Sequence, residues 1–103
     1  MTLSTTRLRN AVEAAAVHLD GVVEVWLFGS ALRSPQPEDI DLLVVYDDGV
    51  LRATVAASVR GPFADATTGA TGLHAHIVVL SRQEAASTRF AENEGATLLY
   101  KRT

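Results

Sequence analysis

Two aspartates separated by one residue, Asp39-Ile40-Asp41, stand at the start of the apolar run LLVV. Because side chains i and i+2 of a strand share a face, we expect the two carboxylates to lie side by side and Ile40 to point into the core. Adjacent carboxylates repel each other unless a cation lies between them, and oxygen-only ligands favour Mg²⁺ or Mn²⁺. The segment therefore predicts a metal site with Asp39 and Asp41 as ligands; the alternative is a solvated strand entry after a proline-rich loop.

A second motif, Gly29-Ser30, ends the preceding apolar run. Glycine lets a backbone approach a phosphate closely, and a serine hydroxyl and the N–H groups opening a helical turn can donate to phosphate oxygens. Arg33, one turn later, could add positive charge. Alone, these residues also fit an ordinary strand-to-helix turn with a serine cap. Together with the aspartates, they predict a metal and phosphate site of the kind that nucleotidyl or phosphoryl transfer requires.

Two histidines, His74 and His76, share one face of a further apolar segment, LHAHIVVL. They could form a metal site, joined by Asp39 and Asp41 if the two strands are neighbours. The alternative is a pair of half-exposed histidines hydrogen-bonded at the surface, and this is the interpretation we favour for His74.

The elements that position these residues follow from hydrophobic periodicity and turn signals. Strands are predicted at residues 22–28, 40–46, 73–80 and 96–101, the last as a short edge strand or an extended tail. Helices are predicted at residues 4–19, 50–60 and 82–93. Ser81 and Glu84 form a capping-box signature for the third helix, Gly61-Pro62 ends the second, and the aperiodic residues 63–72 are predicted to be a loop. We expect an α/β (α+β) fold, with a small mixed sheet of three to four strands flanked by about three helices.

Composition narrows the class of protein. With 103 residues, the chain is expected to form one domain, 1–103. It has no cysteine, which excludes disulfides, a thiolate nucleophile and cysteine-ligated metals. The nine Lys and Arg residues are scattered and the net charge is −3, which argues against general duplex-DNA binding. No apolar run is long enough to span a membrane and residues 1–6 lack a secretory signal, so we expect a cytoplasmic protein.

The run FGS, followed by DIDLLVV, resembles the signature of the DNA-polymerase-β-type nucleotidyltransferase superfamily, in particular its minimal nucleotidyltransferase (MNT) branch. The leading helix, the third strand running into a capped helix and the ending EGATLLYK are also similar, so the resemblance covers most of the chain. It implies a nucleotidyltransferase-like fold, a nucleoside triphosphate substrate, expected to be ATP, with Mg²⁺ or Mn²⁺, and transfer of NMP to a hydroxyl of a protein or small molecule. Carried over, it makes Gly29 and Ser30 the phosphate-binding turn and Asp39 and Asp41 the metal ligands.

The sequence departs from the family in a shorter gap between Ser30 and Asp39 and in the third strand, where His76 stands at the position of an expected third carboxylate. That acid helps to hold the metal and can accept the proton of the attacking hydroxyl. A neutral histidine could act as a base or bind Mn²⁺ or Zn²⁺, but it is a poor Mg²⁺ ligand.

Three functions therefore stay open. The first is an active nucleotidyltransferase with Asp39, Asp41 and His76 as catalytic residues. The second is a catalytically degenerate binding module or antitoxin for a HEPN-type protein, because the MNT branch is often paired with HEPN-domain toxins. The third is a structural domain that forms a homo-oligomer, with the apolar edge ATLLY and exposed aromatic side chains as the interface.

Overall fold

The structure is a computed structural model that describes residues 4–102. Part of the segment 1–6, from which we expect no secretory signal, lies outside these residues. The strands are β1 (Val22–Phe28), β2 (Asp39–Tyr46), β3 (His74–Ser81) and β4 (Thr97–Lys101). They form one sheet in the order β3-β2-β1-β4, with β1 antiparallel to β2 and β4, and β2 parallel to β3. The predicted small mixed sheet is confirmed, and β4 is an edge strand rather than a tail.

The α-helices are α1 (Thr5–Ala16), α2 (Ala53–Ala56), α3 (Arg60–Thr71), α4 (Arg82–Thr88) and α5 (Phe90–Glu94). Two short 3₁₀ turns, Gly29–Leu32 and Ala57–Val59, link neighbouring elements. Because Ala57–Val59 joins α2 to α3, and α5 follows α4 after one residue, the helices form three regions, as the sequence predicts. No helix within residues 4–102 is long and apolar enough to cross a membrane.

Helix α1 begins after Ser4, whose hydroxyl accepts a hydrogen bond from the Arg7 N–H at 3.2 Å. It ends at Ala16, three residues before the predicted end, because the N–H groups of His18 and Leu19 bond to carbonyls three residues back instead of four. The Arg102 guanidinium donates to the Ala16 carbonyl at 2.9 Å and to the Leu19 carbonyl at 3.3 Å. The helix end is therefore satisfied from the C-terminal part of the chain, which no local pattern reveals.

The predicted loop at residues 63–72 is wrong, because α3 occupies it up to Thr71 and ends at Gly72 in the left-handed region. Gly61-Pro62, interpreted as the end of a helix, lies in the first turn of α3. Proline is tolerated there because the first N–H groups of a helix have no intrahelical partner. Phe63 and Thr67, four residues apart, are fully buried. Helix α3 is thus stabilised by packing against α1, although its sequence has no regular apolar period.

The third predicted helix is interrupted at Arg89, which adopts φ +52° between α4 and α5. Both hydrogen bonds of the predicted capping box are present at the start of α4. The Glu84 N–H donates to the Ser81 hydroxyl at 3.1 Å, and the Ser81 N–H donates to the Glu84 carboxylate at 2.8 Å. The break turns α5 toward β1, where Phe90 meets Phe28 edge to face with ring centroids 4.9 Å apart.

We predict that Ser81→Ala lowers the free energy of unfolding by about 1 kcal/mol, since it removes the side-chain acceptor at the start of α4. Urea denaturation followed by circular dichroism measures the change. Ser87→Ala is the matched control, because Ser87 lies exposed within the same helix, and its loss is expected to change stability by no more than about 0.5 kcal/mol. Equal losses in the two variants would show that the capping box contributes nothing specific.

The sheet has two differently covered faces. On the core face, alternate residues of β2 (Ile40, Leu42 and Val44) pack with α1 and α3 in the main apolar cluster. On the opposite face, called here the site face, the intervening residues are Asp39, Asp41, Leu43 and Val45. Helices α4 and α5 contact the sheet along β3, β2 and β1. The burial of Ile40 at 0% exposure confirms the predicted alternation around the aspartates.

Candidate active site

Asp39 and Asp41 lie on the site face at the beginning of β2, beside the beginning of β3. Asp41 is half-buried, and the Asp39 side chain is 46% exposed. Within residues 4–102, the only side chain at ion-pair distance from either carboxylate is His76, which lies next to Asp39 and is charged only when protonated. Two carboxylates that face solvent together, without a cationic side chain between them, form an arrangement that attracts a divalent cation.

Gly29 is fitted against this pair. Phe28 is the cross-strand partner of Asp41, so the next residue passes directly beside the Asp41 side chain. Gly29 has φ +79°, and a Cβ at this position would overlap the Asp41 carboxylate and lie 3.0 Å from its Cγ. Only glycine satisfies both the backbone conformation and the close approach. The glycine turn and Asp41, which the sequence predicts to belong to one metal and phosphate site, are therefore packed against each other.

Ser30 is the second residue of the 3₁₀ turn Gly29–Leu32, so its N–H belongs to the opening of a helical turn. Its carbonyl accepts hydrogen bonds from the N–H groups of Arg33 at 3.0 Å and Ser34 at 2.9 Å, which fixes the turn. The Arg33 side chain is exposed and has no ion pair within the described residues. The structure thus places Gly29 and Ser30 beside the aspartates and leaves Arg33 on the surface at the end of the turn.

The two histidines lie on the neighbouring strand. In the parallel register, His74 is opposite Asp39 and His76 is opposite Asp41. His76 Nε2 lies 3.6 Å from Asp39 Oδ2, a contact that is an ion pair only when the imidazole is protonated. The rings of His74 and His76 meet edge to face, with centroids 4.9 Å apart. A mixed cluster of Asp and His side chains requires that β2 and β3 be neighbours, and in the structure they are.

The donor set fits a divalent cation, with two carboxylates from one strand and an imidazole from the next. The missing Cβ of Gly29 leaves room for the Asp41 carboxylate itself, which packs against the glycine. Within residues 4–102, no three His, Cys, Asp or Glu side chains are already arranged to hold a metal ion. A metal at this place would therefore depend first on Asp39 and Asp41, and on substrate oxygens or a movement of His76 to complete its ligands.

A groove of about 360 Å³ lies on the same face, further along the sheet, between the strands and the α4–α5 pair. Trp26, Leu43 and Val45 line its floor, and Ala86 and Ala91 line its helical side. Trp26 is half-buried, and its indole N–H donates to the Glu24 carboxylate at 3.1 Å. No motif in the sequence predicts this groove, since its shape depends on the break between α4 and α5.

Solved structures of other proteins share the fold of this chain. A chain of a "putative nucleotidyltransferase" from Sulfolobus solfataricus superposes with a TM-score of 0.60 at 19% identity, covering 95% of this chain and 80% of that one. A chain from the complex of tri-AMPylated Shewanella oneidensis HEPN toxin with MNT antitoxin gives a TM-score of 0.59 at 17% identity, covering 96% and 74%. At such identities the similarity shows the fold. No curated protein sequence matches the chain.

The family comparison covers the site as well as the fold. The sequence model of the nucleotidyltransferase domain matches residues 8–98, a range that includes the glycine turn, both aspartates and His76. The expected fold and the resemblance of FGS and DIDLLVV to this superfamily are thereby confirmed. The chain belongs to the nucleotidyltransferase domain family.

Proposed function

We propose that the protein is a nucleotidyltransferase that binds a nucleoside triphosphate, ATP, with Mg²⁺ or Mn²⁺, and transfers NMP to a hydroxyl of a protein or small molecule. The observation that carries the proposal is the packing of Gly29 against Asp41, next to Asp39 on the site face. This unit joins a turn suited to phosphate with a carboxylate pair suited to a divalent cation. Family membership supports the same chemistry.

Each residue has a defined task in the proposed reaction. Asp39 and Asp41 would hold the cation, which when bound neutralises phosphate charge during transfer. The N–H groups and hydroxyl at Gly29-Ser30 would orient the departing phosphates, with Arg33 adding positive charge from the surface. The acceptor oxygen forms a bond to the α-phosphorus while the bond from that phosphorus to the bridging oxygen breaks, so that pyrophosphate leaves.

The proton of the acceptor hydroxyl must also leave. Because His76 Nε2 and Asp39 Oδ2 are 3.6 Å apart, an acceptor oxygen that approaches one of these side chains is also near the other. A side chain within hydrogen-bond reach of the reacting hydroxyl can take its proton, and histidine and carboxylate both serve this purpose. His76 therefore has two candidate roles in the reaction, as the proton acceptor or as a further metal ligand.

The experiment that tests the proposal is transfer of label from α-labelled ATP to an acceptor, with γ-labelled ATP as the control. Transfer of NMP labels the acceptor only from the α position, whereas transfer of the terminal phosphate labels it only from the γ position. Labelling from γ alone would exclude nucleotidyl transfer by this chain.

A second function is a binding module that keeps the fold without turnover and acts as an antitoxin for a HEPN-type protein. Two observations favour it: His76 in place of the expected third carboxylate, and the similarity in fold to a chain from the Shewanella complex. The test combines co-purification of the chain with a HEPN-type protein and the α-label assay. Stable co-purification, no transfer by the natural chain and transfer by His76→Asp would favour this second function over the first.

A further inference from the structure

We infer that the site prefers a transition-metal dication of the Mn²⁺ class to Mg²⁺, because His76 Nε2 is one of its ligands. The inference rests on the proposed function only in taking Asp39 and Asp41 as the other protein ligands. It decides between the two roles left to His76, and it makes this side chain the one that determines which metal is bound.

The first support is the spacing between His76 and Asp39. Their Nε2 and Oδ2 atoms are 3.6 Å apart, longer than the usual range for a hydrogen bond. Two ligand atoms that each lie about 2.0–2.2 Å from one cation are separated by about 2.8–3.1 Å at a coordination angle of roughly 90° and by about 3.3–3.6 Å at the tetrahedral angle. A shift of a few tenths of an ångström would bring the pair to the distance of two ligands that share an ion.

The second support is the freedom and the orientation of the imidazole. The side chains of His76 and Asp39 are 57% and 46% exposed, so both can make this small movement without disturbing the core. The His74 and His76 rings meet edge to face, with centroids 4.9 Å apart. The parallel register also keeps His76 directly opposite Asp41. The imidazole of His76 is thus exposed enough for a small movement and already lies next to the Asp39 carboxylate.

The third support is the chemistry of the donor set. Magnesium binds oxygen ligands and rarely imidazole, whereas borderline transition metals accept both. Two carboxylates and one neutral imidazole carry a charge of −2, which matches a dication. A carboxylate at position 76 would instead complete an oxygen-only set with a charge of −3. The residue at this position is therefore expected to control the ratio of Mn²⁺ affinity to Mg²⁺ affinity.

The test is a titration of the protein with Mn²⁺ alone, followed through the loss of the paramagnetic resonance signal of the free ion, with Mg²⁺ as the competitor. Relative to the natural chain, His76→Asp is expected to lower the ratio of Mn²⁺ to Mg²⁺ affinity by about tenfold or more. Removing a residue that hydrogen-bonds to a metal ligand weakens metal binding by roughly 10- to 100-fold, and removing a ligand should cost at least as much. His76→Ala is therefore expected to weaken Mn²⁺ binding by about 10- to 100-fold or more. The exposed His18, which follows α1, provides the control: His18→Ala is expected to change neither value.

A spectroscopic readout identifies the ligand independently of affinity. Pulsed resonance of bound Mn²⁺ should show coupling to a nitrogen in the natural chain and in His18→Ala, and none in His76→Asp. Unchanged selectivity in His76→Asp, or nitrogen coupling that survives there, would overturn the inference.

The Asp39→Asn, Asp41→Asn double variant separates this inference from the proposed function. One combination of results is that the double variant loses Mn²⁺ binding while His76→Asp leaves the ratio of Mn²⁺ to Mg²⁺ affinity unchanged. That pair of results would overturn the inference about His76 and leave the proposed function in place. Full Mn²⁺ affinity in the double variant would overturn both proposals, and so would the absence of binding by the natural chain.

Discussion

Replacement of both Asp39 and Asp41 by asparagine is expected to abolish transfer of label from α-labelled ATP. Asparagine keeps the size and shape of the side chain but removes its charge, so the variant loses its attraction for a divalent cation. Metal ions supply several kcal/mol of charge stabilisation in such reactions, which corresponds to a loss of about a thousandfold or more in rate. Both positions are at least partly exposed on the site face, so the fold should persist.

The matched control for this experiment is the double variant Asp20→Asn, Asp65→Asn. Asp20 and Asp65 are both exposed and lie outside the site, and their replacement removes the same total charge. Circular dichroism and thermal unfolding of the two double variants establish that both are folded. Transfer that survives in the Asp39, Asp41 variant within a few-fold of the natural rate would remove the proposed mechanism, whatever metal is present.

The local arrangement of the site could be predicted from the sequence because it depends on strand geometry. Alternation along DIDLLVV determines that Asp39 and Asp41 share a face and that Ile40 faces the core, and the structure agrees. The pairing of β2 with β3 could not be predicted in the same way, because it depends on the path of the chain through α3. The distance between His76 and Asp39 is therefore a result of the structure, while the grouping of the two histidines on one face follows from the sequence.

The helical errors have related physical causes. The alanine, threonine and glycine residues of 63–72 have no apolar period, which predicts a loop, yet Phe63 and Thr67 are enough to pack this segment against α1 as a helix. The break at Arg89 was missed because arginine carries no local signal for φ +52°. In both places, tertiary contacts decide the conformation and local propensity does not.

The position of Gly29 leads to the second large effect. Gly29→Ala is expected to lower the free energy of unfolding by about 2–4 kcal/mol, through left-handed backbone strain of about 1–2 kcal/mol and a further cost for overpacking against Asp41. The new methyl group would also displace the Asp41 carboxylate from its position in the site. Label transfer should therefore fall further than the folded fraction does.

Two other glycines separate the causes of this loss. Gly95 has φ +61° with open space around it, so Gly95→Ala measures backbone strain alone and is expected to cost about 1–2 kcal/mol. Gly69 lies within α3 with nothing near its missing Cβ, so Gly69→Ala is expected to stabilise the protein by about 0.5–1 kcal/mol. Urea denaturation gives all three values. If Gly29→Ala cost no more than Gly95→Ala and kept full transfer activity, the contact between position 29 and Asp41 would have no part in organising the site, and the coupling of the glycine turn to the aspartates would be wrong.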